Sequence, residues 1–319
     1  MALPQLSLLE SNDGENQKGD DLKGLNRYYL QSLAVLSLIL TTAFWGSTFF
    51  LIKDLLNTMT TLSFLGVRFV IAGALSAVIF FPRLKRASRK VWQHAFALGA
   101  VYSAAQVLQT KGLESADASV VGFITGLYVV ITPLLVWLLF KEKIKPVNLA
   151  AALVAMAGLM VLSLDGFSIG FGELLTLAGA ALFALHIVLT ARWATKDDPI
   201  TLAAIQLIAI GVFCFLAALP FGVQLPQDAR QWTVLLYTVV FAAIGALIMQ
   251  TWAQKHLRPT KAAVVMTMEP VFAAAFAVLF GGEDVTVRMI IGGALVVAAM
   301  LATELIPAYR ARDKIRAGE

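Results

Sequence analysis

The chain is 319 residues long, 59% hydrophobic and only 14% charged, with a formal net charge of +5. Soluble domains carry about 25% charged residues, and one this apolar would expose large adhesive patches to water. A soluble globular protein is therefore excluded, and the surplus of basic residues, lying in short stretches between apolar runs, argues for membrane orientation and against a nucleic-acid partner.

Residues 1–28 read as a polar cytoplasmic tail, and the first apolar run reads as a retained helix, not a cleaved signal. A helix needs about 20 mostly apolar residues to cross roughly 30 Å of hydrocarbon. Ten stretches meet that need. The first five are Ser32–Ile52, Leu62–Phe81, Val91–Gly112, Ala118–Phe140 and Val147–Leu164. The second five are Gly172–Arg192, Pro199–Pro220, Trp232–Gln254, Thr260–Gly281 and Val287–Ile306. The connections are short and hold the helix breakers: Pro82, Lys141 to Lys143, Pro146, Asp197-Asp198-Pro199, Gly222 to Pro226, and Gly281-Gly282. Residues 309–319 form a basic cytoplasmic tail. No ten-residue alternation of the kind a membrane β-barrel needs is present.

The basic residues orient these spans. With the amino terminus inside, one side collects Lys18, Lys23, Arg27, Arg83 to Lys90, Lys141 to Lys145, Arg192, Lys196, Lys255 to Lys261 and the carboxy-terminal group Arg310 to Arg316. Of the 25 Lys and Arg, only Lys53, Lys111, Arg230 and Arg288 fall opposite, with Arg68 inside a helix. Both termini are expected in the cytoplasm.

An internal repeat orders the chain further. Arg68, Gly73 and Pro82 match Gln206, Gly211 and Pro220, each 138 positions on. Trp92 opens helix three as Trp232 opens helix eight, and both suit the membrane interface. Gln109-Thr110 matches Gln250-Thr251, and Glu142 matches Glu283, both 141 positions on. The unit holds five helices, residues 29–165 and then 166–308. An odd number of spans turns the second copy upside down. The expected fold is therefore all-α: a polytopic membrane protein of ten transmembrane helices in two inverted five-helix repeats.

Three motifs carry a resemblance. Phe44-Trp45-Gly46-Ser47 in helix one, Gly126 to Val130 with Thr132-Pro133 in helix four, and Met268-Glu269-Pro270-Val271-Phe272 in helix nine resemble the EamA-type branch of the drug/metabolite transporter superfamily. The likeness runs from helix one to helix ten and leaves out the tails. It implies transport of small metabolites, most often export of amino acids, amines or related compounds. Helix one has no acid between Ser32 and Ile52, so the acidic first-helix residue of the superfamily's small multidrug members has no equivalent.

Glu269 is the sharpest candidate for chemistry, because it lies about ten residues into its span, where an unpaired carboxylate is costly. It is either a proton-coupling or substrate-amine group, or a structural carboxyl at the break made by Pro270. Arg68 either binds a substrate carboxylate, pairs with an acid, or snorkels to the interface. His186, the repeat partner of Thr48, is a cavity imidazole or a packing group. Tyr102, Gln106 and Gln109 share one face of helix three, and Thr125, Tyr128 and Thr132 one face of helix four. Lipid offers these groups no partner, so the faces should turn inward. Repeat symmetry sets Tyr128 against Glu269 and Gln109 against Gln250, as a shared central site requires. Trp45 and Tyr128 suit stacking on a ring or capping an ammonium. The expected substrate-binding set is thus Trp45, Tyr102, Gln106, Gln109, Thr125, Tyr128, His186, Gln250 and Glu269.

No phosphate-binding loop, metal motif or nucleophile–base pair is present, so neither an ATPase nor an intramembrane enzyme is expected, and no cofactor. Cys214, the single cysteine, excludes an internal disulfide. The small-residue runs Ala150 to Ala155 with Gly158, and Gly292 to Ala298, are close-packing surfaces within the bundle or between two protomers, so a homodimer through helices five and ten is one expectation. The reading is a secondary-active exporter of small metabolites in the plasma membrane, of the bacterial inner-membrane kind, partnered by lipid and a small-molecule substrate. An importer or facilitative uniporter is the alternative.

Overall fold

A computed structural model describes residues 28–48, 51–52, 55–56, 58–115, 118–163, 170–281 and 284–317. Lys18, Lys23, Arg27, Lys53 and the repeat residue Glu283 lie outside that set. The described residues are helical, with no strand among them. Helix α1 is Tyr28–Thr48, α2 Thr61–Ile79, α3 Arg89–Gly112, α5 Pro146–Ser163, α6 Phe171–Ala194, α7 Pro199–Ala218, α8 Ala229–His256 and α10 Val287–Ala317. Two helices are interrupted: α4 comprises Ala118–Gly126 and Tyr128–Phe140, and α9 comprises Pro259–Met266 and Met268–Gly281. Pro82, expected as a breaker, instead opens a short helix, Phe81–Arg86.

Local chemistry sets the boundaries. The side chains of Thr60, Ser88, Asp198 and Asp228 each accept a hydrogen bond from the backbone amide three residues on, capping α2, α3, α7 and α8. Lys141 ends α4 in the left-handed region at φ 55°, a conformation costly for a side-chain-bearing residue.

Among the described residues, six helices are long and apolar enough to cross a membrane: α1, α2, α6, α7, α8 and α9. Shorter apolar helices run over Ile124–Phe140, Pro146–Val161 and Val287–Thr303. Helix α3, with 24 residues, is long enough but insufficiently apolar. Its Tyr102, Gln106, Gln109 and Thr110 line an internal cavity, so its polarity faces inward, where hydropathy counts it against a span.

Packing follows the repeat. Helix α2 lies along α7, α5 along α10, and α3 against both α6 and α7. The repeat-related glycines face each other's helices at the α2–α7 contact. A Cβ at Gly73 would lie 3.1 Å from Leu207 O, and one at Gly211 would lie 2.5 Å from Phe69 O. That mutual close approach explains why glycine recurs there. The two broken helices exchange partners, the first part of each packing on the second part of the other. At α5 and α10 the small residues meet inside the bundle: a Cβ on Gly158 would lie 2.8 Å from Gly292 O.

Among the described residues, side chains join the halves at several places. Gln224 Oε1 accepts from Thr60 N at 2.7 Å, and Ser63 Oγ accepts from Gln224 N at 3.0 Å. Elsewhere His94 Nδ1 lies 2.7 Å from Asp197 Oδ2, and the His94 ring stacks on Trp193 at 4.5 Å.

Candidate functional site

A cavity opens among α1, α2, α3, α4, α6, α8 and α9, with about 770 Å3 of non-atom space that includes its opening to solvent. All nine residues selected from the sequence, Trp45, Tyr102, Gln106, Gln109, Thr125, Tyr128, His186, Gln250 and Glu269, contribute to its wall.

Each broken helix supplies its share from the turn next to its break. Tyr128 begins the second part of α4, and Glu269 is the second residue of the second part of α9. The α9 interruption falls at Thr267, before Pro270, which therefore sits in the first turn where proline is tolerated. Among the described residues no backbone amide donates to the Glu269 carboxylate. The sequence alternative in which that group stabilises a proline bend finds no bond to support it. Tyr128 Oη is buried and has no hydrogen-bond partner. Thr132, expected on the same face, is buried but does not line the cavity.

Helix α3 lays its polar face along the opposite wall. Gln106 Nε2 donates to Tyr102 Oη at 3.2 Å, and Gln109 Nε2 donates to Thr125 Oγ1 at 3.0 Å. The Tyr102 ring meets Phe183, His186 and Phe69 edge-on. His186 is buried, with Nε2 2.7 Å from Gln206 Nε2 and 3.4 Å from Thr190 Oγ1. It therefore both packs and lines the cavity, two roles the sequence set as alternatives.

Trp45 is fixed by an unexpected feature of α8. Residues Thr238–Gly245 form a π-helical segment, and Trp45 Nε1 donates to Ala242 O within it at 2.9 Å. π-Helical turns disturb the regular carbonyl pairing and frequently mark functional positions. With its N–H thus engaged, Trp45 offers the cavity its ring.

Arg68 corrects the sequence reading most sharply. Snorkelling to the interface is not what it does. Only 5% exposed, it lines the cavity, with its guanidinium 4.9 Å from the centre of the Phe69 ring and 5.8 Å from that of Phe64. The helices packed around it bury it, which the local sequence pattern could not reveal. Phe64, Phe183, Thr48, Thr110 and Met266 also line the wall. Thr48 was marked by its repeat relation to His186 and Thr110 by its match to Thr251, whereas Phe64, Phe183 and Met266 carried no signal in the sequence. Among the described residues no cluster of three His, Cys, Asp or Glu side chains could hold a metal ion.

Comparison with known proteins decides the family. The model of the EamA-like transporter family matches twice, over residues 32–164 and 170–304. The chain belongs to the EamA-like transporter family. An uncharacterized transporter of Archaeoglobus fulgidus is 32% identical over 288 residues, covering 89% of this chain and 88% of its own. The uncharacterized inner membrane transporter YedA of Escherichia coli is 25% identical, covering 81% and 87%. The threonine/homoserine exporter RhtA of Escherichia coli, a member of the drug/metabolite transporter superfamily, is 28% identical over 173 residues, covering 52% of this chain and 57% of its own. A solved crystal structure, 20% identical, superposes with a TM-score of 0.73 over 86% of this chain and 97% of its own, a likeness of fold. This EamA-family chain is thus a transporter type built as a tandem repeat, with several apolar helices fit to cross a membrane.

Proposed function

We propose that this EamA-family protein is a secondary-active exporter of small metabolites, moving them through the cavity at which its two repeats meet. The observation that carries this reading is the position of the cavity. The breaks of both discontinuous helices, α4 and α9, border it, and such breaks are where repeat-built transporters hold their solutes. Unpaired backbone is tolerated at membrane depth where it borders a water-filled space.

In this reading the helices cross the membrane ten times, as two inverted units over residues 29–165 and 166–308, with both tails cytoplasmic. The nine residues chosen from the sequence form the substrate site, and Glu269 couples transport to protons. The plasma membrane is its location, supported by the inner-membrane name of the YedA relative. The threonine/homoserine exporter among the relatives supports outward movement of small polar metabolites. A dimer through α5 and α10 would use their outward faces, where Leu149, Leu153, Ile290 and Ile291 are exposed.

The test is counterflow in proteoliposomes. Vesicles holding the purified protein and loaded with unlabelled amino acids or amines should take up the labelled form faster than protein-free vesicles. No acceleration for any solute would defeat the reading.

A further inference from the structure

We propose that Gln206 and Gln254 line the cavity in a second form of the protein, open to the opposite face of the membrane. The inference rests on the transport reading above and assigns the wall of the same site that this structure keeps hidden.

The repeat divides the cavity wall in two. At its centre both members of a pair contribute: Gln109 with Gln250, Thr125 with Met266, and Tyr128 with Glu269, each 141 positions apart. Toward one end, among the described residues, the first repeat contributes alone. Arg68, Thr110 and Leu113 line the cavity there. Their counterparts, Gln206 at 138 positions on and Thr251 and Gln254 at 141, are 0% exposed and do not line it. The pairing holds in the structure as well as in the sequence. Thr110 Oγ1 donates to Gln106 O at 2.7 Å, and Thr251 Oγ1 donates to Leu247 O at 2.7 Å.

Burial leaves the two glutamines unsatisfied. Among the described residues neither amide atom of Gln254 has a hydrogen-bond partner. Gln206 meets the cavity residue His186 through Nε2 at 2.7 Å, and its Oε1 has no partner. A buried polar group left unpaired costs about 1–3 kcal/mol, and lipid supplies no partner. An apolar side chain, such as the Leu113 that matches Gln254, would avoid that cost. The amides are explained if another form of the protein brings them to water and solute.

Inverted copies place equivalent residues toward opposite faces, and alternating access moves one copy against the other around a fixed site. When the cavity opens to the other face, the second repeat supplies the one-sided wall. Gln206 then takes the role of Arg68, and Gln254 that of Leu113. A neutral amide replaces the guanidinium, so this wall holds a solute by hydrogen bonds alone, and the cation of Arg68 is presented to one face only.

The test places single cysteines in a Cys214→Ala background. Their reaction with a small impermeant thiol reagent is followed in spheroplasts and in inside-out vesicles, which present opposite faces. Leu113→Cys should react from one face, and Gln206→Cys and Gln254→Cys from the other. Each should react about 10-fold or more faster than Ala204→Cys, a buried control on α7, because a thiol reacts only where the reagent reaches it. Thr251→Cys, the mildest change, replaces either glutamine variant that misfolds in gel filtration or is inactive. Counterflow of the amino acids and amines is measured on the same variants in proteoliposomes. Counterflow by a variant whose cysteine stays unreactive would overturn the second wall and leave transport standing. Reaction from the face that labels Leu113→Cys would do the same. If the wild type moves no solute, the transport reading fails first and this inference with it.

Discussion

Gln109 Nε2 donates to Thr125 Oγ1 over 3.0 Å, joining α3 to the first part of α4. The residues 141 positions on are Gln250 and Met266, and there the contact is an amide approaching a sulfur at 4.0 Å. The repeat has kept the geometry and exchanged the acceptor. A thioether accepts weakly, so one wall of the cavity is locked and the matching wall is not. Gln250 Oε1 is left buried and without a partner.

That asymmetry predicts unequal costs. Gln109→Leu should lower stability by about 1–3 kcal/mol, because it strips a buried hydroxyl of its partner. Gln250→Leu should cost less than about 1 kcal/mol, since it removes a weak contact together with an unsatisfied carbonyl. Melting temperatures of the two variants in one detergent measure the difference. Equal losses would show that the Thr125 bond carries no special weight.

Glu269→Gln separates coupling from architecture. Glutamine keeps the shape and holds the group permanently neutral, as protonation would. The variant is expected to exchange substrate across proteoliposome membranes yet lose accumulation driven by a pH gradient. Retained gradient-driven accumulation would remove Glu269 from the coupling role. Weakened binding at every pH would assign it to substrate contact alone.

Gly46 tests how tightly α1 seats beside that carboxyl. A Cβ there would lie 2.7 Å from Phe272 Cβ and 2.8 Å from both Ala273 N and Glu269 O. Two of these are backbone atoms that cannot step aside. Gly46→Ala should cost about 1–3 kcal/mol and impair transport by moving α1 away from α9. Gly122→Ala is the control, since its Cβ would meet nothing within 4 Å. A silent Gly46→Ala in thermal melts and counterflow would contradict this packing.

Trp45→Phe keeps a ring in the cavity and deletes the donor to Ala242 O. A loss of about 1 kcal/mol is expected, the net worth of one such bond. Substrate affinity should change less than stability, because the ring and not the N–H faces the cavity. A large affinity loss with unchanged melting temperature would reverse that assignment.

Orientation is tested by labelling. In a Cys214→Ala background, a cysteine at exposed Gln227 should react with an impermeant thiol reagent on intact cells, and one at exposed Arg83 only after permeabilisation. The opposite pattern would overturn the inverted arrangement along with the topology.

Much of the site was legible because lipid punishes polar groups. Tyr102, Gln106 and Gln109 fall on one helical face, and in a membrane such a face has to turn inward. The tandem repeat was legible from spaced identities such as Gly73 and Gly211, whose reason emerges only where α2 and α7 touch. Arg68 was not legible. Its distance from the helix end is compatible with snorkelling, and only the neighbouring helices determine whether its stem can reach water. The π-helical segment of α8 was equally hidden, since Thr238–Gly245 reads as an ordinary apolar run. The break in α9 was placed by the sequence at Pro270 and lies at Thr267, because proline is tolerated in a first turn.

The sequence by itself thus determined the class of molecule, the tandem repeat and the polar faces, since composition and periodicity act locally against lipid. The tertiary structure alone decided that those faces close on one cavity and that an arginine and a glutamate share it. The physical reason is that a side chain's exposure and partners belong to the surfaces packed around it, and those surfaces come from helices far away in the chain.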